Sequence, residues 1–80
     1  MDELAELLQR IEIDREIMAG KPVIKGTRIT VEHIMRELVN GWTEEDLLDA
    51  HPRLTRDDIR AALAYATARL SAEQISIDAK

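Results

Sequence analysis

The 80-residue sequence contains no cysteine, which excludes disulfides, thiolate metal sites and thiol nucleophiles. It also lacks any apolar run approaching the roughly 18–20 residues that a membrane-spanning helix requires. The opening stretch MDELAELLQR has no basic start and no continuous apolar segment, so it does not read as a signal peptide. The expectation is a soluble cytoplasmic protein with no membrane association. Positive charge is in short supply, with 11 Lys and Arg against 16 Asp and Glu, a formal net charge of −5. That total argues against coating nucleic acid by bulk attraction. A chain this short buries only about 60% of its unfolded surface, so one domain is expected, and pairing with a second chain would help to stabilise it.

One segment lacks the opposite sign of charge. Residues 17–31 hold Lys21, Lys25 and Arg28 and no acid, so the rest of the chain sums to −8 against the total of −5. Such segregation is more informative than the total. Within it, Pro22 to Thr30 reads as a hairpin. Val23-Ile24 and Arg28-Ile29 flank Lys25-Gly26, and glycine supplies the positive φ that a tight turn demands. Strands this short must pack on helices, or pair with Ile11–Ile13 or a second chain. Lys21, Lys25 and Arg28 could touch phosphates, a dimer mate or an acidic partner protein, or could merely be solvated. An open strand edge invites pairing with another chain.

Helical spacing appears on both sides of this element. Leu4, Leu7, Leu8 and Ile11 predict an amphipathic helix within residues 2–11. After the hairpin, Thr30, Thr43 and Thr55 each precede a helical pattern, where a hydroxyl can accept from an orphaned backbone N–H. Asp46 and Asp58 follow Thr43 and Thr55 by three residues, in the manner of a capping box. Val31, Ile34, Met35, Leu38 and Val39 form the apolar stripe of the first helix, which Asn40-Gly41 ends. Leu47 and Leu48 mark a short second helix, closed by Pro52. Ile59, Ala62, Leu63, Ala66 and Leu70 form the stripe of the third. The expected divisions are a helix at 1–10, a small β element at 11–30, a three-helix unit at 31–70 and a polar tail at 71–80.

Three short helices with short connections are the helix-turn-helix architecture. Leu48, Leu54, Ile59 and Leu63 would share one buried seam, with Thr55 capping the last helix. Asp49, Pro52 and Arg53 depart from the usual residues of the motif. In a DNA-reading version, Arg53, Thr55, Arg56 and Arg60 would face the major groove. The competing reading makes Arg56, Asp57 and Arg60 a solvated face with local ion pairs. Trp42, following Gly41, is expected as a plug between helices. His33 and His51 have no partner at metal-ligand spacing, so surface or capping roles are expected and no metal. No catalytic residue is assigned. The acids Glu44-Glu45-Asp46 sit at a helix start, where the dipole accounts for them, and no glycine spacing suits a phosphate loop.

The stretches GKPVIKGTRITVEHI and LVNGWTEEDLLDAHPRLTRDDIRAALAYA together resemble the bacterial and archaeal family called domain of unknown function 433. The shared pattern is a Gly-Lys-Pro-x-Ile-x-Gly-Thr-Arg hairpin, a helix ending in Gly-Trp, a short acidic helix, a Pro-x-Leu-Thr turn and an Ala-rich helix. Matching positions are Gly20, Lys21, Pro22, Ile24, Gly26, Thr27, Arg28, Gly41, Trp42, Pro52, Leu54 and Thr55. The resemblance implies a mainly α, tri-helical fold, homeodomain-like or winged helix-turn-helix, with a small N-terminal β-hairpin. It also implies a dimeric, VapB-like antitoxin without cofactors, which binds a PIN-like ribonuclease toxin and represses its own operon by binding double-stranded operator DNA. A protein-interaction module with that shape and no DNA binding is the alternative.

Overall fold

A computed structural model describes residues 2–73. They form four helices and one two-stranded antiparallel sheet: α1 (Glu3–Leu8), β1 (Ile11–Glu12), β2 (Val23–Ile24), α2 (Val31–Val39), α3 (Glu44–Ala50) and α4 (Arg56–Glu73). A single helical turn at Met18–Gly20 lies between the strands. Residues 71–73 of the expected tail continue α4, and 74–80 lie outside the described residues. Among the described residues no helix is long and apolar enough to cross a membrane.

Each helix after the sheet starts where its sequence can satisfy the orphaned backbone N–H groups of a first turn. The Thr30 hydroxyl accepts from the His33 amide, and Thr43 and Asp46 exchange reciprocal hydrogen bonds. Thr55 and Asp58 do the same, at 3.1 and 3.0 Å. Gly41, at φ +98°, ends α2. Its amide donates to the Leu38 carbonyl and that of Trp42 to Glu37, which satisfies two of the carbonyls left at a helix C-terminus.

The sheet differs from the expected hairpin. The ladder partner of β2 is β1, with Ile11 opposite Ile24 and Glu12 opposite Val23. The returning arm gives one bridge, Val23 to Thr30. It can give no more, because Thr30 is already the cap of α2. Ile13, expected in β1, is exposed.

Ile24, Val31, Ile34, Leu47, Leu54, Ile59 and Ala62 make the core, with Ile11, Ile29, Met35, Leu38, Leu48 and Tyr65 packed around it. Burial of each large aliphatic side chain contributes about 1.5–3 kcal/mol. Leu63 does not join the seam and is 43% exposed. At about 100° per residue it lies off the line of Ile59, Ala62 and Ala66. Leu70 is exposed because α4 outruns the core, and Val39 because it ends α2. Ala61 and Ala64 are buried instead. They share the face of α4 that carries Asp57 and Arg60, which α1 and its flank cover through Glu3 and Arg10. Trp42 is not a plug. It is 37% exposed, because the chain reversal at Gly41 carries it outside α3.

Asp58 ties these parts together. One carboxylate oxygen accepts from the Thr55 amide, and the other accepts from the Arg10 guanidinium at 3.1 Å. Asp58 is buried, whereas Arg10 is half exposed. Asp58→Ala therefore removes a helix cap and a charge-assisted bond together, and is expected to cost about 2–3 kcal/mol. Arg10→Ala leaves the cap in place and loses partly solvated pairs to Asp58 and Asp57, at about 1 kcal/mol. Urea unfolding checks both, and equal losses would contradict this division of roles.

Candidate functional site

The basic segment becomes a site through its turn. Ile24 to Thr27 is closed by the Thr27 amide donating to the Ile24 carbonyl at 2.9 Å, with Gly26 third in the turn at φ +82°. That is the position at which a type II turn requires glycine. The Thr27 hydroxyl donates to the Ile24 carbonyl at 2.7 Å and accepts from the Ile29 amide at 3.0 Å. With the Thr27 amide and hydroxyl engaged in this way, Arg28 stands exposed at the edge of the turn.

Two clefts meet there and share Arg28 and Ile29. The first, of about 350 Å³, lies against the start of α2 and adds Lys21, Glu32, Arg36 and both histidines. The second, of about 450 Å³, adds Ile17, Gly26 and Arg53. Together they hold four cations (Lys21, Arg28, Arg36, Arg53) against one carboxylate, Glu32, a formal +3. Glu32 is gripped by Lys21 at 3.2 Å and Arg36 at 2.7 Å. Arg28, Arg53 and Lys25 have no ion-pair partner among the described residues.

Met18, Ala19 and Gly20, which lead into this segment, have φ of +49°, +59° and +84°. Met18 lines the first cleft. The left-handed region costs a residue with a Cβ roughly 1–2 kcal/mol, so strain is held beside the site.

The helix-start arginines are disposed otherwise. Arg56 and Arg60 are exposed, as expected, but each is held by carboxylates of its own fold. Arg56 meets Glu44 at 2.7 Å and Glu45 at 4.0 Å, and Arg60 meets Glu3 at 2.7 Å and Asp57 at 3.5 Å. Glu3, with Asp57 behind it, pushes the Arg60 guanidinium further above its ordinary range. The Thr55 hydroxyl is engaged as a cap. Arg53 stands apart from them, beside Arg28.

His33 and His51, expected to stand alone, meet edge to face with ring centroids 5.4 Å apart. His33 also reaches Glu37 at 3.7 Å. Among the described residues no group of three or more His, Cys, Asp or Glu could hold a metal ion. Sequence reasoning missed Arg36, His33 and His51 as site residues, and it set Arg53 with Arg56. The segregated charge of residues 17–31 was the signal available. The rest of the lining comes from other elements.

Residues 11–66 match the family described as protein of unknown function (DUF433). The chain belongs to that family. The crystal structure of a DUF433 member from Anabaena variabilis superposes with a TM-score of 0.74 at 27% identity, over 90% of this chain and 72% of that one. The uncharacterized protein y4eO of Sinorhizobium fredii is 34% identical over 68 residues, or 85% of this chain and 31% of the relative. An uncharacterized protein of Archaeoglobus fulgidus is 52% identical over 29 residues, 36% of this chain and 81% of that protein. This DUF433 chain thus spans about a third of the length of its Sinorhizobium relative.

Two outcomes follow from the site's geometry. Ala19→Gly should stabilise the fold by about 0.5–1 kcal/mol, because glycine takes this conformation without steric cost. A loss of stability would show that the turn is not strained. Glu32 titrates below the ordinary glutamate range, through its hydrogen bond from Lys21, then the charges of Lys21 and Arg36. A carboxylate with a depressed folded pKa contributes stability above its unfolded pKa, about 4.3, and loses it as pH falls through the folded value. Thermal unfolding of the parent and Glu32→Gln should therefore differ above that range and converge on acidification.

Proposed function

We propose that this chain is a helix-turn-helix-shaped, antitoxin-type binding module that acts by gripping a partner protein, a PIN-like ribonuclease, rather than by reading DNA through α4. The observation that carries this reading is the neutralisation of the two exposed arginines at the start of α4. Glu3, Glu44, Glu45 and Asp57 surround Arg56 and Arg60, four carboxylates against two cations, where a phosphate backbone would need to approach. Arg28 and Arg53, without carboxylate partners among the described residues, gather instead at the second cleft. Leu63 and Leu70, exposed on α4, supply apolar surface for pairing with a second copy. The far longer Sinorhizobium relative fits a module that also works joined to other segments.

The second reading is operator binding and autorepression. It draws on the exposed side chains of Arg56 and Arg60 one turn apart at the start of α4. The two readings separate in one pair of measurements. In the favoured case the chain co-purifies with the product of the neighbouring gene and suppresses its ribonuclease activity, while its own upstream DNA is not retarded at low salt. Retardation that weakens steeply with salt and disappears in Arg56→Ala/Arg60→Ala would establish the second reading instead.

A further inference from the structure

Resting on that partner-binding reading, we infer that the two clefts joined at Arg28 take an extended peptide of alternating acidic and apolar residues from the partner. The chemistry of the lining carries this. Ile17, Met18 and Ile29 give apolar contact surface, while Lys21, Arg28, Arg36 and Arg53 give positive charge. Successive side chains of an extended strand point to opposite sides. A strand lying across Ile29 can therefore turn carboxylates to the arginines and aliphatic groups to the isoleucines. Arg10, Arg36, Arg56 and Arg60 all have carboxylate partners, whereas Arg28 and Arg53, which line one cleft, have none among the described residues. An arginine with its fork unfilled is suited to bidentate recognition of a carboxylate.

Nucleic acid fits less well. Single strands are held by bases stacking on aromatic side chains. The tryptophan and the tyrosine lie elsewhere, Trp42 in a hollow with Asp46 and Asp49, and Tyr65 beside Ala66 and Leu70, and the two imidazoles of the first cleft pack edge to face on each other. A duplex would extend past the cationic rim onto a chain of net charge −5.

Glu32 makes the inference separable from a merely structural role. It occupies Lys21 and Arg36, so it competes with an incoming carboxylate. Its removal should strengthen peptide binding even as it weakens the fold at neutral pH. The test uses a fluorescein-labelled hexapeptide alternating aspartate and leucine, the same peptide with lysine for aspartate, and a 16-base-pair duplex. Anisotropy is read against the parent, Arg28→Glu/Arg53→Glu and Glu32→Gln, with circular dichroism confirming the fold of each. The acidic peptide should bind the parent, move the amide resonances of Gly26, Thr27 and Ile29, and weaken with salt. The double variant should lose about tenfold or more in affinity, and Glu32→Gln should gain, each charge pair being a screened surface interaction. Undiminished binding by the double variant, no binding of the peptide, or preference for the duplex would each overturn the inference. Failure of the peptide alongside intact capture of the ribonuclease would leave the partner reading standing and remove only this assignment.

Discussion

The fold depends on one carboxylate held between two elements far apart in sequence. Asp58 caps α4 with one oxygen and holds Arg10 with the other. The first bond belongs to the local business of starting a helix. The second fastens the α1–β1 junction to α4, 48 residues away. Lys25 then donates its amide to the carbonyl of that same Arg10. The turn presenting Arg28 is therefore connected, through one residue, to the cap of α4. In a domain with little core to spare, such a shared anchor matters more than the count of surface ion pairs, most of which contribute little.

Local chemistry was readable in the sequence, and juxtaposition was not. The caps at Thr30, Thr43 and Thr55 are legible because a cap needs a side chain and an amide a few residues apart. The turn at Gly26 is legible for the same reason. The failures are failures of register and direction. Leu63 resembles a seam residue because it follows Ile59 by four, but the core lies on the other side of Ile59, toward Ala62 and Tyr65, and Ala61 and Ala64 are buried on the separate face that meets α1. The inward stripe does not show that α1 lies on a second face of that helix. Trp42 was misplaced because the geometry that ends α2 sets where the next side chain goes, and bulk does not.

The site illustrates the same division. A charge count finds Lys21, Lys25 and Arg28, since they are neighbours in sequence. It cannot place Arg53 next to Arg28, because only the packing of the α3–α4 turn against the hairpin does that. Nor can it reveal that Arg56 and Arg60 are occupied. Their partners Glu44, Glu45 and Glu3 belong to other helices. Two arginines a turn apart look available in a linear reading and are spoken for in three dimensions.

The left-handed run at Met18–Gly20 bears on how the neighbouring surface can respond to anything placed on it. Three successive residues of one hand cannot slip by a position. A shift would force Ile17 or Lys21 into a conformation that side chains with a Cβ resist. In the complex proposed above this wall would be set before the encounter, and a guest would match its shape instead of moulding it. Preorganisation of this kind lowers the entropy lost on association, and it narrows the range of guests that can be admitted.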